Sequence, residues 1–234
     1  MKKLISYILL SLLFFTTFPS AMAQQTAPDK NTEDKPGIVR DRLMFDFFHT
    51  FWMGVPSKVN VKKFHPGFNF SAMWDFQLPN KGPLSFGLGV GMCYYTQFSD
   101  AVLSTESDSI TRFAVIADNI SYKVNKFNYT NIHIPFEIRY RHKSGFKLSL
   151  GARLGLITGI SYRYKGSNPN GDGTFLNFRD YEVLNQSKVN FDVYLRTGWK
   201  AFGIYFSYQV TSLFKEQEGP QMHPMALGLT INFF

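Results

Sequence analysis

Asp75, Glu137, Arg139, Arg153, Asp192 and Arg196 are the side chains of this sequence best placed to do chemistry. Each occupies the polar position of an otherwise apolar alternation, so each is expected on the strand face that its Phe, Leu, Ile and Val neighbours leave. Opposite charges gathered there can neutralise one another through hydrogen-bonded pairs, or they can relay protons or polarise a substrate. The spacing favours pairing. A turn centred at Ser144 sets Glu137 opposite Gly151 and diagonal to Arg153, within reach of an ion pair. The six are therefore read as a structural interior charge cluster, with no catalytic, cofactor-binding or metal-binding residue assigned.

Other candidates fail on geometry or composition. A nucleophile needs its base about 3 Å away. His133 is the best-placed histidine, but Ser161, expected opposite Phe127, lies about 20 Å along the strand from Gly155, the expected partner of His133. His49 shares the apolar face of its strand. Asn168-Pro-Asn170-Gly-Asp172-Gly173 has the spacing of the first half of a calcium loop, yet Arg179 stands at the twelfth position, where Glu is required. It reads better as a Gly/Asn-rich turn. The single cysteine, Cys93, leaves no disulfide framework and no metal pair. No cofactor and no enzymatic activity are expected.

The elements that would hold the six charges are strands. From 42 to 53 the chain is too apolar to assign faces cleanly, though Leu43, Phe45, Phe47 and Phe51 share one. Phe68 to Leu78 alternates with Asn69, Ser71, Met73 and Asp75, and Leu84 to Tyr94 with Ser85, Gly87, Gly89, Gly91 and Cys93. Ile132 to Tyr140 alternates with His133, Glu137 and Arg139. From Phe146 the alternation runs to Ile160 and Tyr162, against Ser149, Gly151, Arg153, Gly155, Gly159, Ser161 and Arg163. Val189 to Trp199 alternates with Asn190, Asp192, Tyr194 and Arg196, and Phe202 to Val210 with Gly203, Tyr205, Ser207 and Gln209. The last strand carries Met225, Leu227, Leu229, Ile231 and Phe233 against Ala226, Gly228, Thr230 and Asn232, and is expected to pair with the first.

Tight connections at 79–83, 143–145 and 200–201 alternate with long polar ones at 54–66, 96–127, 165–187 and 214–224. Short turns on one side and long loops on the other are the pattern of an outer-membrane barrel. The charges decide which face meets which medium. A face of Asp, Glu, Arg and Asn would make a costly core for a soluble sandwich, whereas in a bilayer the apolar face is solvated by acyl chains and closure satisfies the backbone. The fold class is thus all-β, an eight-stranded antiparallel up-and-down transmembrane β-barrel over 42–234. Its lumen should be just filled by side chains. Asp75 is expected opposite Gly87, Met73 opposite Gly89 and Arg196 opposite Tyr205. Trp52, Tyr94, Tyr140, Tyr162, Tyr164 and Trp199 are expected at the membrane interfaces. Within 96–127, segments 111–117 and 120–124 are expected to form an external hairpin around Asp118-Asn119.

Lys2-Lys3, an apolar run over 4–18 and Ala21-Met22-Ala23 make residues 1–23 a secretory signal peptide. Residues 24–41 read as a flexible periplasmic leader, and both termini are expected in the periplasm. The formal net charge of +8 contains no basic cluster. For a secreted chain this argues against nucleic acid; interior ion pairs and contact with outer-membrane lipid and lipopolysaccharide phosphates account for the charge.

Tyr122-Lys-Val-Asn-Lys126, Ile134-Pro-Phe-Glu-Ile-Arg-Tyr-Arg141, the glycine-bearing run 146–165, the segment 208–214, Gly219-Pro220 and the closing LGLTINFF resemble the outer-membrane β-barrel proteins of Bacteroidetes-type bacteria, often called PorT-like. The resemblance covers 42–234 and carries fold and location, with no catalytic or binding residues. It implies a Gram-negative outer-membrane protein. The role expected is structural, adhesive or binding, through external loops or periplasmic contacts. The alternative is an accessory component of a protein secretion system, since the family's namesake serves one. A rim-sited lipid-modifying enzyme is a more distant reading.

Overall fold

The computed structural model describes residues 43–61, 64–78, 82–105 and 110–233. The expected signal peptide and leader, the turn residues 79–81 and Phe234 lie outside them. Every regular element among the described residues is a strand: β1 (Leu43–Met53), β2 (Pro66–Gln77), β3 (Leu84–Phe98), β4 (Ala101–Thr105), β5 (Thr111–Val115), β6 (Tyr122–Arg141), β7 (Phe146–Ser167), β8 (Phe175–Asp180), β9 (Val189–Trp199), β10 (Phe202–Gln209) and β11 (His223–Phe233).

Eight of them close on themselves. The antiparallel order β6-β3-β2-β1-β11-β10-β9-β7 is completed by pairing of β6 with β7, and β1 pairs with β11 as expected. β4 and β5 form a separate hairpin, and β8 adds to the part of β7 that rises beyond β9. Closure leaves the barrel no open edge, so its backbone groups pair within the ring.

Alternation sets what each face meets. Phe47, Leu150 and Leu229 are 56%, 61% and 65% exposed on the outer wall, while Asp46, Asp192 and Glu137 are buried within. On β7 the outward apolar positions run from Phe146 to Leu156. At about 3.3 Å per residue and a tilt near 40°, that stretch spans about 25 Å of height, the apolar band of a membrane barrel. The registers at the turn end match expectation: Asp75 opposite Gly87, Met73 opposite Gly89, Glu137 opposite Gly151 and Arg196 opposite Tyr205.

Three expectations fail, and each failure has a local cause. First, Ile160, Tyr162 and Tyr164 point inward, while Gly159, Ser161 and Arg163 are more exposed. A bulge on β7 opposite Thr130/Asn131 inserts Thr158 and reverses the phase of everything beyond it. Second, Trp52 is an interior residue. It shares the buried face of β1 with Met44, Asp46, Phe48 and Thr50, and its Nε1 donates to the Thr96 carbonyl at 3.4 Å. Tyr94, Tyr140 and Trp199 keep the outer wall. Third, the external hairpin joins 101–105 to 111–115. Asp118-Asn119 is only the turn between β5 and β6, because 122–124 already pair with β7.

Candidate functional site

The lumen near the short turns is filled by charge. A continuous chain of alternating sign runs Arg141–Asp75–Arg139–Glu137–Arg196–Asp46. Arg139 Nε donates to Glu137 at 2.5 Å, Arg141 Nη2 to Asp75 at 2.6 Å and Arg196 Nη2 to Asp46 at 2.7 Å; Arg139–Asp75 and Arg196–Glu137 close the remaining links. Arg153 donates to Asp192 at 3.0 Å and to the Tyr95 hydroxyl at 2.8 Å. Four carboxylates thus face four guanidinium groups. Three of the acids have a further, uncharged donor: Tyr194 donates to Glu137, Asn69 to Asp46 and Asn190 to Asp192, while Asp75 is shared by Arg139 and Arg141. The Arg196 guanidinium also lies 4.7 Å from the Tyr194 ring and 5.3 Å from that of Tyr205.

Glycines make this filling possible. The inward positions Asp75, Gly87, Glu137, Gly151 and Tyr194 follow one another across β2, β3, β6, β7 and β9. A Cβ on Gly151 would stand 2.4 Å from the Tyr194 ring, and one on Gly87 would stand 2.9 Å from Arg139 Nε. Large and absent side chains alternate round the ring, which is how eight strands enclose so many bulky groups. A cavity of about 20 Å³ remains beside Met44, Ser149 and Arg196, room for about one water.

The other half of the lumen is aromatic. Tyr95 stacks on Tyr129 at 4.5 Å, Trp52 meets Phe127 and Tyr129 edge-on, and Phe127 meets Phe214. The long loops descend onto this cluster with Ile116, Val183, Leu213, Phe214 and Met222, all buried. They are also tied to each other. The Glu218 carbonyl accepts from Thr111 N and from Asn185 Nδ2, Leu184 O accepts from the Thr111 hydroxyl, and Asn60 Nδ2 donates to Asp100. Gly54, at φ +76°, lets the first loop touch the last: a Cβ there would meet the Gln221 carbonyl at 2.0 Å.

All six charges expected inside are inside. Their pairing differs in one respect, because Arg153 joins Asp192 across β7 and β9 and not Glu137, whose partners are Arg139 and Arg196. Asp46 and Arg141 complete the chain and were missed. Parity alone would place Asp46 opposite Phe45 and Phe47, but the strand is apolar on both faces and hid it. His133 is buried, its Nδ1 3.1 Å from Asn131 Oδ1, while Ser161 sits on the other side of the wall opposite Asn128. In the 168–173 loop, Asp172 is taken up by the turn itself. The Thr174 hydroxyl and amide donate to it and hold its carboxyl below the ordinary value, and Asn168 adds a bond at 2.6 Å.

None of the curated proteins matches the sequence. Among solved structures, Ail, the attachment invasion locus protein of Yersinia pestis, in complex with the heparin analogue sucrose octasulfate, is similar at 12% identity and a TM-score of 0.38. That alignment covers 82% of this chain and 96% of that one. A likeness so remote carries no argument about this chain. The family described as outer membrane protein beta-barrel domain matches residues 37–216, the greater part of the sequence, and the chain belongs to that family of the outer membrane.

Proposed function

We propose that the protein is a closed, non-conducting anchor that presents a fixed cap of loops at the cell exterior for a structural, adhesive or binding role. One observation carries this reading. The lumen is filled from the short turns to the loops, and the loops are built into its top as a packed cap. A transporter needs a path and an enzyme needs an accessible constellation; His133 and Ser161 lie on opposite sides of the wall. In this reading the role is non-catalytic, and the paired charges inside serve as structural filling. Both termini lie in the periplasm and the long loops outside, because short turns face the periplasm in this class. The contacting phase is outer-membrane lipid with lipopolysaccharide. Within its family the chain is of the PorT-like kind on the motifs quoted above.

Purified protein in planar bilayers should give no conductance steps, and stepwise openings would overturn the proposal. Orientation is read with Val115→Cys, on exposed β5, since the native Cys93 is buried. An impermeant maleimide should label it on intact cells; labelling only after permeabilisation would invert the topology. Secreted cargo should be unchanged on deletion of the gene, and lost cargo would favour the export role.

A further inference from the structure

Above the apolar belt the outer wall changes character. Met92, Ile132 and Leu156 form the last apolar row across β3, β6 and β7. Six residues further along β6, Lys126 is paired directly with Arg163 of β7, and Arg163 directly with Arg179 of β8. All three share the outer face, because the intervening Asn125 and Tyr162 are bonded to each other inside. Lys165, two positions beyond Arg163, adds a fourth cation to that face.

Side chains directly opposite on one face have Cβ atoms about 4.5–5.5 Å apart, and like charges there destabilise the sheet. Partial burial, and then the guanidinium groups of Arg179 and Arg163, lower the pKa of Lys126. No carboxylate forms a salt bridge with any of the four cations among the described residues. The acid closest in sequence, Asp180, is opposite inward Tyr162 and accepts from the Glu182 amide. Arg179 donates to the Tyr181 hydroxyl at 3.3 Å and lies 5.8 Å from that ring's centroid. A row of cations across three strands with no carboxylate bridging it suits an anion with several charges.

Its height selects the ligand. Six residues at about 3.3 Å, tilted near 40°, put the row about 15 Å above the apolar edge. A phospholipid headgroup layer is only about 5–8 Å thick. The anion must therefore be carried on a longer headgroup. We infer that Lys126, Arg163, Arg179 and Lys165 bind the phosphate groups on the core oligosaccharide of an outer-leaflet glycolipid, lipopolysaccharide, whose acyl chains lie against the belt below. This rests on the proposed orientation, with the loop end outside.

The test uses the full mature chain refolded in neutral detergent and titrated with lipopolysaccharide bearing a phosphorylated core, read by native mass spectrometry. Replacing Lys126, Arg163 and Arg179 together by Gln should weaken binding at least about tenfold, and core-less lipid A should bind the unaltered protein as weakly. Equal binding by the variant, or by core-less lipid A, would overturn the inference. So would equally tight binding of a sulfated oligosaccharide without acyl chains, because the lipid would then add nothing. A retained shift between boiled and unboiled samples on a gel shows that the variant folds. Should it not fold, the single change Arg179→Gln on exposed β8 takes its place, with about a threefold loss expected and no loss overturning the site. Maleimide labelling at position 115 reports orientation separately, so the two proposals fail independently.

Discussion

Below Tyr194 the lumen is held by guanidinium–carboxylate pairs, whereas above Tyr95 it is held by stacked rings and the loops seated on them. The two fillings answer to different physics. A buried ion returns its desolvation cost only when every partner is in place, so the charged half tolerates little change. Ring packing is less directional, and loss of one ring leaves the others in contact. The demanding half therefore lies within the membrane, where the strands fix every register, and the permissive half lies at the loop end.

The sharpest way to break this contrast is Glu137→Gln, which leaves Arg139 and Arg196 short of a counter-charge. A loss of about 3–5 kcal/mol is expected in urea titrations of the barrel in lipid vesicles; a loss under about 1 kcal/mol would mean that the chain of charges is solvated. Phe214→Ala removes the ring that joins the cap to Phe127. It should cost about 3 kcal/mol, felt in the cap alone: trypsin should cut the loops faster while the barrel's unfolding midpoint stays put. A shifted midpoint would show that the two halves unfold together. Gly151→Ala drives a methyl into Tyr194 and strains its bond to Glu137, for about 1–3 kcal/mol; a neutral result would mean that the ring can step aside. The mildest test lies in the 168–173 loop. Asp172 has its carboxyl pKa lowered from 3.8 by Thr174, so its contribution to the turn is complete above 3.8 and is lost as pH falls through the lower folded value. A carbon-13 carboxyl titration with its midpoint at or above 3.8 would remove that contribution.

The same division explains what could be read from the sequence. In the turn-end half, apolar meant lipid and polar meant lumen. Parity then placed Asp75, Glu137 and Arg196 correctly, and turn positions gave their registers. In the loop-end half that rule fails, because Phe127, Tyr162 and Trp52 fill the interior with the residue types that mark the wall elsewhere. Thr158 adds a second obstacle, since a bulged residue is no different in type from its neighbours and its effect is seen only in the partner strand. The pairing of Arg153 was missed for a related reason. Its diagonal neighbour on β6 was visible, but its direct partner Asp192 belongs to β9, whose register with β7 no short turn fixes. The ties between loops, such as Glu218 with Thr111, join segments over 100 residues apart and have no local signature.

The paired charges in the lumen also bear on abundance. A barrel that conducts must be gated or scarce, because each added copy raises the leak across the envelope. In this protein four carboxylates are matched to four guanidinium groups beneath a cluster of aromatic rings. On the closed, non-conducting reading proposed above, an added copy would add no leak, so the cell could display the protein densely without weakening its permeability barrier.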